Sequence, residues 1–147
     1  MTEFVTHSAD ETQRRAAELA KTLPRGAVIG FLGELGAGKT AFTRGFVEGL
    51  GIDAEVSSPT FALCNDYIGD GARVLHYDMY RVDGWDDLYS VGFFDALDSG
   101  AYVLCEWSEN IFGALPDDAV IIKITKSGET DRIFNVMTKA EFQQSLV

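Results

Sequence analysis

Apolar residues at Ala16, Leu19, Ala20 and Leu23 recur with helical spacing and predict one buried face on a helix from Thr12 to Leu23. Ser8-Ala9-Asp10-Glu11 just ahead has the form of a capping box, and Pro24 and Gly26 close the segment. The pattern then changes. Ala27 to Leu32 is a short apolar run without alternation, as expected of a parallel strand covered on both faces. Helical spacing returns at Phe42, Phe46, Val47 and Leu50, predicting a helix from Lys39 to about Leu50 with Gly49 and Gly51 punctuating its end. Three further runs, Arg73 to Tyr77, Ala101 to Cys105 and Ala119 to Ile124, read as core strands of the same sheet. Trp85 to Leu97 suggests a short amphipathic helix flawed by Gly92. Lys126-Ser127-Gly128-Glu129-Thr130 predicts a hairpin whose second strand is Arg132 to Val136. With no internal repeat or linker, residues 1–147 are expected to form a single α/β domain with a mostly parallel central sheet flanked by helices.

The junction of the first predicted core strand and its helix carries the strongest chemical signal. Gly33-Glu34-Leu35-Gly36-Ala37-Gly38-Lys39-Thr40 satisfies G-x-x-x-x-G-K-[ST] with a strand before it and a helix after it, which makes the expected fold that of a P-loop NTPase. Glycines allow backbone angles at which successive N–H groups converge on phosphate oxygens, and the following helix adds the positive end of its dipole. Lys39 would reach the β- and γ-phosphates, and the Thr40 hydroxyl suits Mg²⁺, which prefers hard oxygen ligands. Gly33 to Ala41 is therefore the expected nucleotide-binding segment. No N-K-x-D guanine-reading segment occurs, so ATP is expected over GTP.

P-loop chemistry also needs a carboxylate at the end of a neighbouring strand. Asp78 and Glu106 each end a predicted strand, at the carboxyl edge where α/β sheets bind ligands. Either fits. His76 lies two residues before Asp78, on the same strand face, and reads as an orienting or structural group rather than a catalytic one. Arg81 either supports its loop or approaches phosphate. Ser57-Ser58-Pro59-Thr60-Phe61, one helix after the glycine loop, sits where γ-phosphate switch segments occur, with a plain Ser-Pro turn as the alternative. Trp107 is either a packing residue or an anchor for a partner.

Charge narrows the setting. Twenty-three acidic against twelve basic residues give a net charge of −11, which disfavours direct, strong binding of nucleic acid and favours contact through a partner protein. Cys64 and Cys105 lack metal or redox spacing, lie in apolar surroundings and read as buried thiols. The N-terminus has no basic stretch followed by an apolar one, and no apolar run is long enough for a bilayer, so a cytoplasmic protein is expected.

The glycine loop, Ser58-Pro59-Thr60-Phe61, His76-Tyr77-Asp78-Met79-Tyr80-Arg81 and Cys105-Glu106-Trp107-Ser108-Glu109 form an ordered set. Together they resemble the TsaE (YjeE) family over Thr12 to Glu109. The resemblance implies a small bacterial ATPase needed for threonylcarbamoyladenosine modification of tRNA beside the anticodon. It implies action on TsaD, which carries the transferase chemistry, together with TsaB, and ATP hydrolysis that resets the complex between turnovers. It also implies phosphate and Mg²⁺ roles for Lys39 and Thr40, and makes Asp78 and Glu106 the family's two acids, with Glu106 on the Mg²⁺ side. Met79 stands where leucine is common in that family, a volume-conserving difference.

Two other classes use the same loop. A small-molecule or nucleotide kinase would need an acceptor pocket and usually an arginine-rich lid, and no arginine cluster is visible. A non-catalytic switch would use bound ATP only to bias assembly. The missing guanine-reading segment predicts ATP binding at least about tenfold tighter than GTP binding, roughly 1.4 kcal/mol. Equal affinities in a competition titration would refute this expectation.

Overall fold

A computed structural model describes residues 2–33, 38–56, 64–79, 82, 84–106 and 108–145. The chain runs β1 (Thr2–Thr6), α1 (Ala9–Thr22), β2 (Val28–Gly33), α2 (Lys39–Gly49), β3 (Cys64–Ile68), β4 (Arg73–Asp78), α3 (Trp85–Ser90), α4 (Phe93–Asp98), β5 (Tyr102–Glu106), a 3₁₀ segment (Ser108–Ala114), β6 (Val120–Lys126), β7 (Arg132–Thr138) and α5 (Lys139–Ser145). The strands form one seven-stranded sheet in the order β1-β7-β6-β2-β5-β4-β3. The central β6, β2, β5 and β4 are parallel, and the outer pairs are antiparallel.

Both faces of the sheet are covered, which explains the unbroken apolar run of β2. Ile29, Phe31, Tyr102, Leu104, Ile122 and Ile124 pack with Ala16 and Ala20 of α1 and Phe42, Phe46 and Val47 of α2. Val28, Leu32, Leu75, Val103, Cys105 and Ile121 pack with Leu88 of α3, Phe93 and Ala96 of α4, and Ile111. Ser8 caps α1 by accepting a hydrogen bond from the Glu11 amide at 3.1 Å, as its capping-box form predicts.

Several elements differ from the sequence reading. Gly49 is the last residue of α2, at the end where it is expected, but it also serves close packing: a Cβ there would stand 2.6 Å from the Ala17 carbonyl oxygen of α1. Gly45, one turn earlier, is tighter still, at 2.1 Å from the Gln13 carbonyl oxygen. The helical stretch over Trp85 to Leu97 is two helices, because Gly92 adopts φ +71 and breaks the hydrogen-bond ladder. Edge strands β1 and β3 and helix α5 went unread. The two strands are short and largely polar and are defined by pairings such as Thr2 with Val136 that no local pattern reports, whereas α5 opens on a local signal, a capping box in which the Glu141 amide donates to Thr138 Oγ1 and the Thr138 amide to Glu141 Oε1. Cys105 is buried as expected, whereas Cys64, on edge strand β3, is only half-buried.

Gly45→Ala should therefore destabilise the fold by about 1–3 kcal/mol, the usual cost of overpacking. Gly113→Ala, where an added Cβ meets nothing within 4 Å, should change stability by less than about 0.5 kcal/mol. Urea unfolding of both variants checks the contrast, and equal stabilities would contradict the close helix contact.

Candidate functional site

The carboxyl end of β2 and the start of α2 are shaped by two glycines with different duties. Gly33 has φ +147, and a Cβ on it would lie 2.5 Å from the Ile124 carbonyl oxygen, so only glycine lets β2 end against β6 there. Gly38 precedes α2 with φ +103 and open space where a Cβ would be. The first turn of α2 then closes through the Phe42 amide donating to the Gly38 carbonyl at 3.0 Å. Gly38 has no side chain to cap that turn, and no acidic residue lies within it. The amides and the positive end of the helix dipole thus remain uncompensated by the helix itself, which favours an anion. Lys39 is buried, Thr40 and Ala41 are half-buried, and the Thr43 hydroxyl donates to the Lys39 carbonyl at 2.8 Å.

Asp78 and Glu106 are brought side by side. They are direct partners in the parallel register of β4 and β5, at the carboxyl ends of both strands, and the Met79 amide extends the ladder to the Glu106 carbonyl at 2.9 Å. By strand alternation Glu106 shares its sheet face with Tyr102 and Leu104, the face covered by α1 and α2. Asp78 is half-buried, but Glu106 is only 7% exposed, and a carboxylate so buried needs a partner. His76 supplies it: Nε2 donates to Glu106 Oε2 at 2.6 Å, and the imidazole is fully buried. His76 Nδ1 meets no partner among the described residues. A carboxylate oxygen only accepts, so Nε2 carries the proton of this contact. The contact is that of an orienting residue. It fixes the carboxylate of Glu106 in one direction.

A cleft of about 310 Å³ adjoins the start of α2, lined among others by Ser8, Thr12, Gly38, Ala41, Thr130 and Arg132. Sequence alone does not reveal it, because Ser8 reads as a helix cap and Thr130 as part of a turn. The cleft exists because β1 pairs with β7, which carries the β6–β7 hairpin to the N-terminus of α1. His7 Nδ1 lies 3.0 Å from Asp131 Oδ1 across that junction, and this hydrogen bond raises the imidazole pKa above its ordinary value. The Arg132 guanidinium donates to the Gly128, Glu129 and Asp131 carbonyls and holds the hairpin turn. A larger opening, about 460 Å³, lies at the opposite sheet edge near Arg73 and Tyr102, away from both acids.

Comparison with known proteins places this arrangement. A family model described as threonylcarbamoyl adenosine biosynthesis protein TsaE matches residues 6–134. The chain belongs to the TsaE family. It is 33% identical over 132 residues to a tRNA threonylcarbamoyladenosine biosynthesis protein TsaE of Treponema pallidum, covering 90% of this chain and 97% of the relative. It is 35% identical over 127 residues to the TsaE of Bacillus subtilis, covering 86% and 79%. Among solved structures, the crystal structure of YdiB from Bacillus subtilis superposes with a TM-score of 0.78 at 30% identity, covering 99% of this chain and 90% of that one. The fold is that of the P-loop NTPases, and the TsaE match continues past Glu109 to residue 134.

Of the other sequence-derived candidates in this TsaE chain, Glu34, Leu35, Gly36, Ala37, Ser58, Thr60, Arg81 and Trp107 lie outside the described residues. Among the described residues no group of three or more His, Cys, Asp and Glu could hold a metal by itself. The Thr40 hydroxyl and the two carboxylates are nonetheless hard oxygen donors, which fit a Mg²⁺ that is shared with a phosphate chain and keeps several waters. No helix among the described residues is long and apolar enough to cross a membrane.

Removing His76 should leave Glu106 buried without its partner. His76→Ala is expected to destabilise the fold by about 3–5 kcal/mol, as when one member of a buried pair is deleted. His76→Ala combined with Glu106→Gln should cost clearly less than the sum of the single changes. Additive costs in denaturant unfolding would show that the two side chains do not act together.

Proposed function

We propose that this chain is an ATP-hydrolysing accessory subunit in threonylcarbamoyladenosine modification of tRNA, acting on a TsaB–TsaD complex. Membership of the TsaE family supports the biosynthetic role, and the net charge of −11 supports contact with tRNA through partner proteins. One observation carries the enzymatic reading: an uncapped helix start with its lysine and threonine shares a sheet edge with two adjacent carboxylates, one of them held by a buried histidine.

In this reading the amides of Gly38 to Ala41 and the Lys39 ammonium grip the phosphates, and the cleft between Ser8, Thr12 and Arg132 receives the nucleoside. Thr40 and Glu106 would hold Mg²⁺, which when bound neutralises charge developing on the β- and γ-phosphoryl oxygens. Asp78, beside Glu106, orients the attacking water or accepts a hydrogen bond from a metal-bound one. His76 acts through Glu106, keeping its oxygens directed so that no reorganisation is needed at the moment of reaction. Binding therefore rests on the loop and Lys39, and turnover on the acids.

Lys39→Ala should abolish tight ATP binding. Glu106→Gln and Asp78→Asn should keep most of the binding but lose at least about tenfold in phosphate release, because they remove interactions made mainly in the transition state. Glu106→Gln should also raise the Mg²⁺ concentration needed, whereas Asp78→Asn should leave it closer to wild type. The measurement is phosphate release from ATP by the protein alone and with TsaB and TsaD. Strong stimulation supports the accessory ATPase. Transfer to a small acceptor would point to a kinase, and assembly without turnover to a binding switch.

A further inference from the structure

Four large hydrophobic residues among those described are exposed, and two of them, Trp85 at 56% and Tyr89 at 70%, stand on α3. They are not scattered. Both rings pack on the half-buried Phe94 at the start of α4: Trp85 lies parallel to it with centroids 5.4 Å apart, and Tyr89 is tilted against it at 4.7 Å. Leu88 and Phe93 beneath are fully buried and fix both helices to the sheet. The result is a pre-ordered aromatic ledge, whose side-chain entropy has already been lost before any partner arrives. Contiguous exposed aromatics of this kind mark interaction surfaces.

Its rim has one sign of charge. Asp86, Asp87, Asp95 and Asp98 are exposed around the ledge, and the sequence from Val82 to Ile122 contains no lysine, arginine or histidine. Nucleic acid and anionic lipid are repelled by such a surface. A second copy of this chain meeting the ledge face to face would set these aspartates against their own equivalents. The complement is a protein surface with an apolar centre and a lysine and arginine rim, whose guanidinium groups can lie on the exposed rings and meet the carboxylates together.

Beside Trp85 a cavity of about 100 Å³, lined by Gly84, Trp85, Leu88, Ile111, Gly113 and Ala114, has room for one inserted side chain. It lies between the start of α3 and the 3₁₀ segment, the elements that follow β4 and β5 after Asp78 and Glu106. A residue seated there would bear on both connections at once.

We propose that the Trp85–Tyr89–Phe94 ledge is the docking surface for a basic-rimmed protein partner, and that occupation of the cavity beside Trp85 couples docking to the two carboxylates. Resting on the accessory-subunit reading, this makes the TsaB–TsaD complex the probe. Binding of the purified complex is measured by calorimetry at low and moderate salt for wild type, Trp85→Ser, Tyr89→Ser, and an Asp86→Lys/Asp95→Lys variant. Each aromatic change is expected to weaken binding at least about tenfold, as at a central interface anchor. The charge reversal, at exposed positions that no core contact needs, should weaken binding and flatten its salt dependence. Each isolated variant should stay folded and bind ATP as wild type does, with the two aromatic variants melting modestly lower because they lose their packing on Phe94. Wild-type affinity in all three variants would overturn the docking surface while leaving the accessory role standing. No binding even by wild type would overturn the accessory reading and this assignment with it. Self-association of wild type that the aromatic variants lose would overturn it in favour of a second copy.

Discussion

A buried carboxylate at the end of a parallel strand is tolerable only if something answers it, and the hydrogen bond from His76 to Glu106 is what the arrangement at this sheet edge depends on. Three constraints make that bond. The register of β4 and β5 sets His76 beside Leu104 and Asp78 beside Glu106. Strand alternation puts His76 and Asp78 on one face. Burial of that face under α1 and α2 removes the water that would otherwise compete. The same burial that makes the carboxylate costly gives it one direction, and a proposed Mg²⁺-side ligand needs that.

The glycines of α2 belong to the same logic. Gly45 and Gly49 let α1 approach α2 backbone to backbone, and α1 brings Ser8 and Thr12 to the cleft beside Gly38. The position of the cleft is thus set by the helix packing that begins beside it, where Gly45 meets Gln13 next to Thr12. At the far side the β1–β7 pairing and the His7–Asp131 contact bring in the hairpin. The proposed nucleoside wall is assembled from both ends of the chain, whereas the proposed phosphate grip comes from one continuous strand–loop–helix unit.

That difference explains what could be read in advance. The central strands, α1, α2 and the placement of Lys39 and Thr40 at a helix start and of Asp78 and Glu106 at neighbouring strand ends are legible because each rests on local signals: apolar runs, helical spacing, glycines at fixed intervals and acids at strand ends. The cleft is not, since Ser8 and Arg132 meet only through long-range pairing. Edge strands β1 and β3 were missed because short polar strands with one paired side leave no apolar period. Gly49 ends α2 as its place in the sequence suggests, but its second duty, admitting α1 at close range, is not visible without the partner helix. The spacing from Asp78 puts His76 on the same strand face, and P-loop chemistry makes it a structural or orienting group, but its contact is with Glu106 on the adjacent strand, which only the register reveals.

The central claim is that nucleotide and metal meet at the carboxyl edge where β2, β4 and β5 end. Paramagnetic line broadening of backbone amides by Mn²⁺, in the presence of an ATP analogue that is not hydrolysed, tests it directly because the effect falls steeply with distance. The account predicts the strongest broadening at Thr40, Asp78 and Glu106, with Arg73 and Tyr102, at the other ends of β4 and β5, much less affected. Nucleotide-dependent broadening centred on Arg73 and Tyr102, or absent from Glu106, would contradict it.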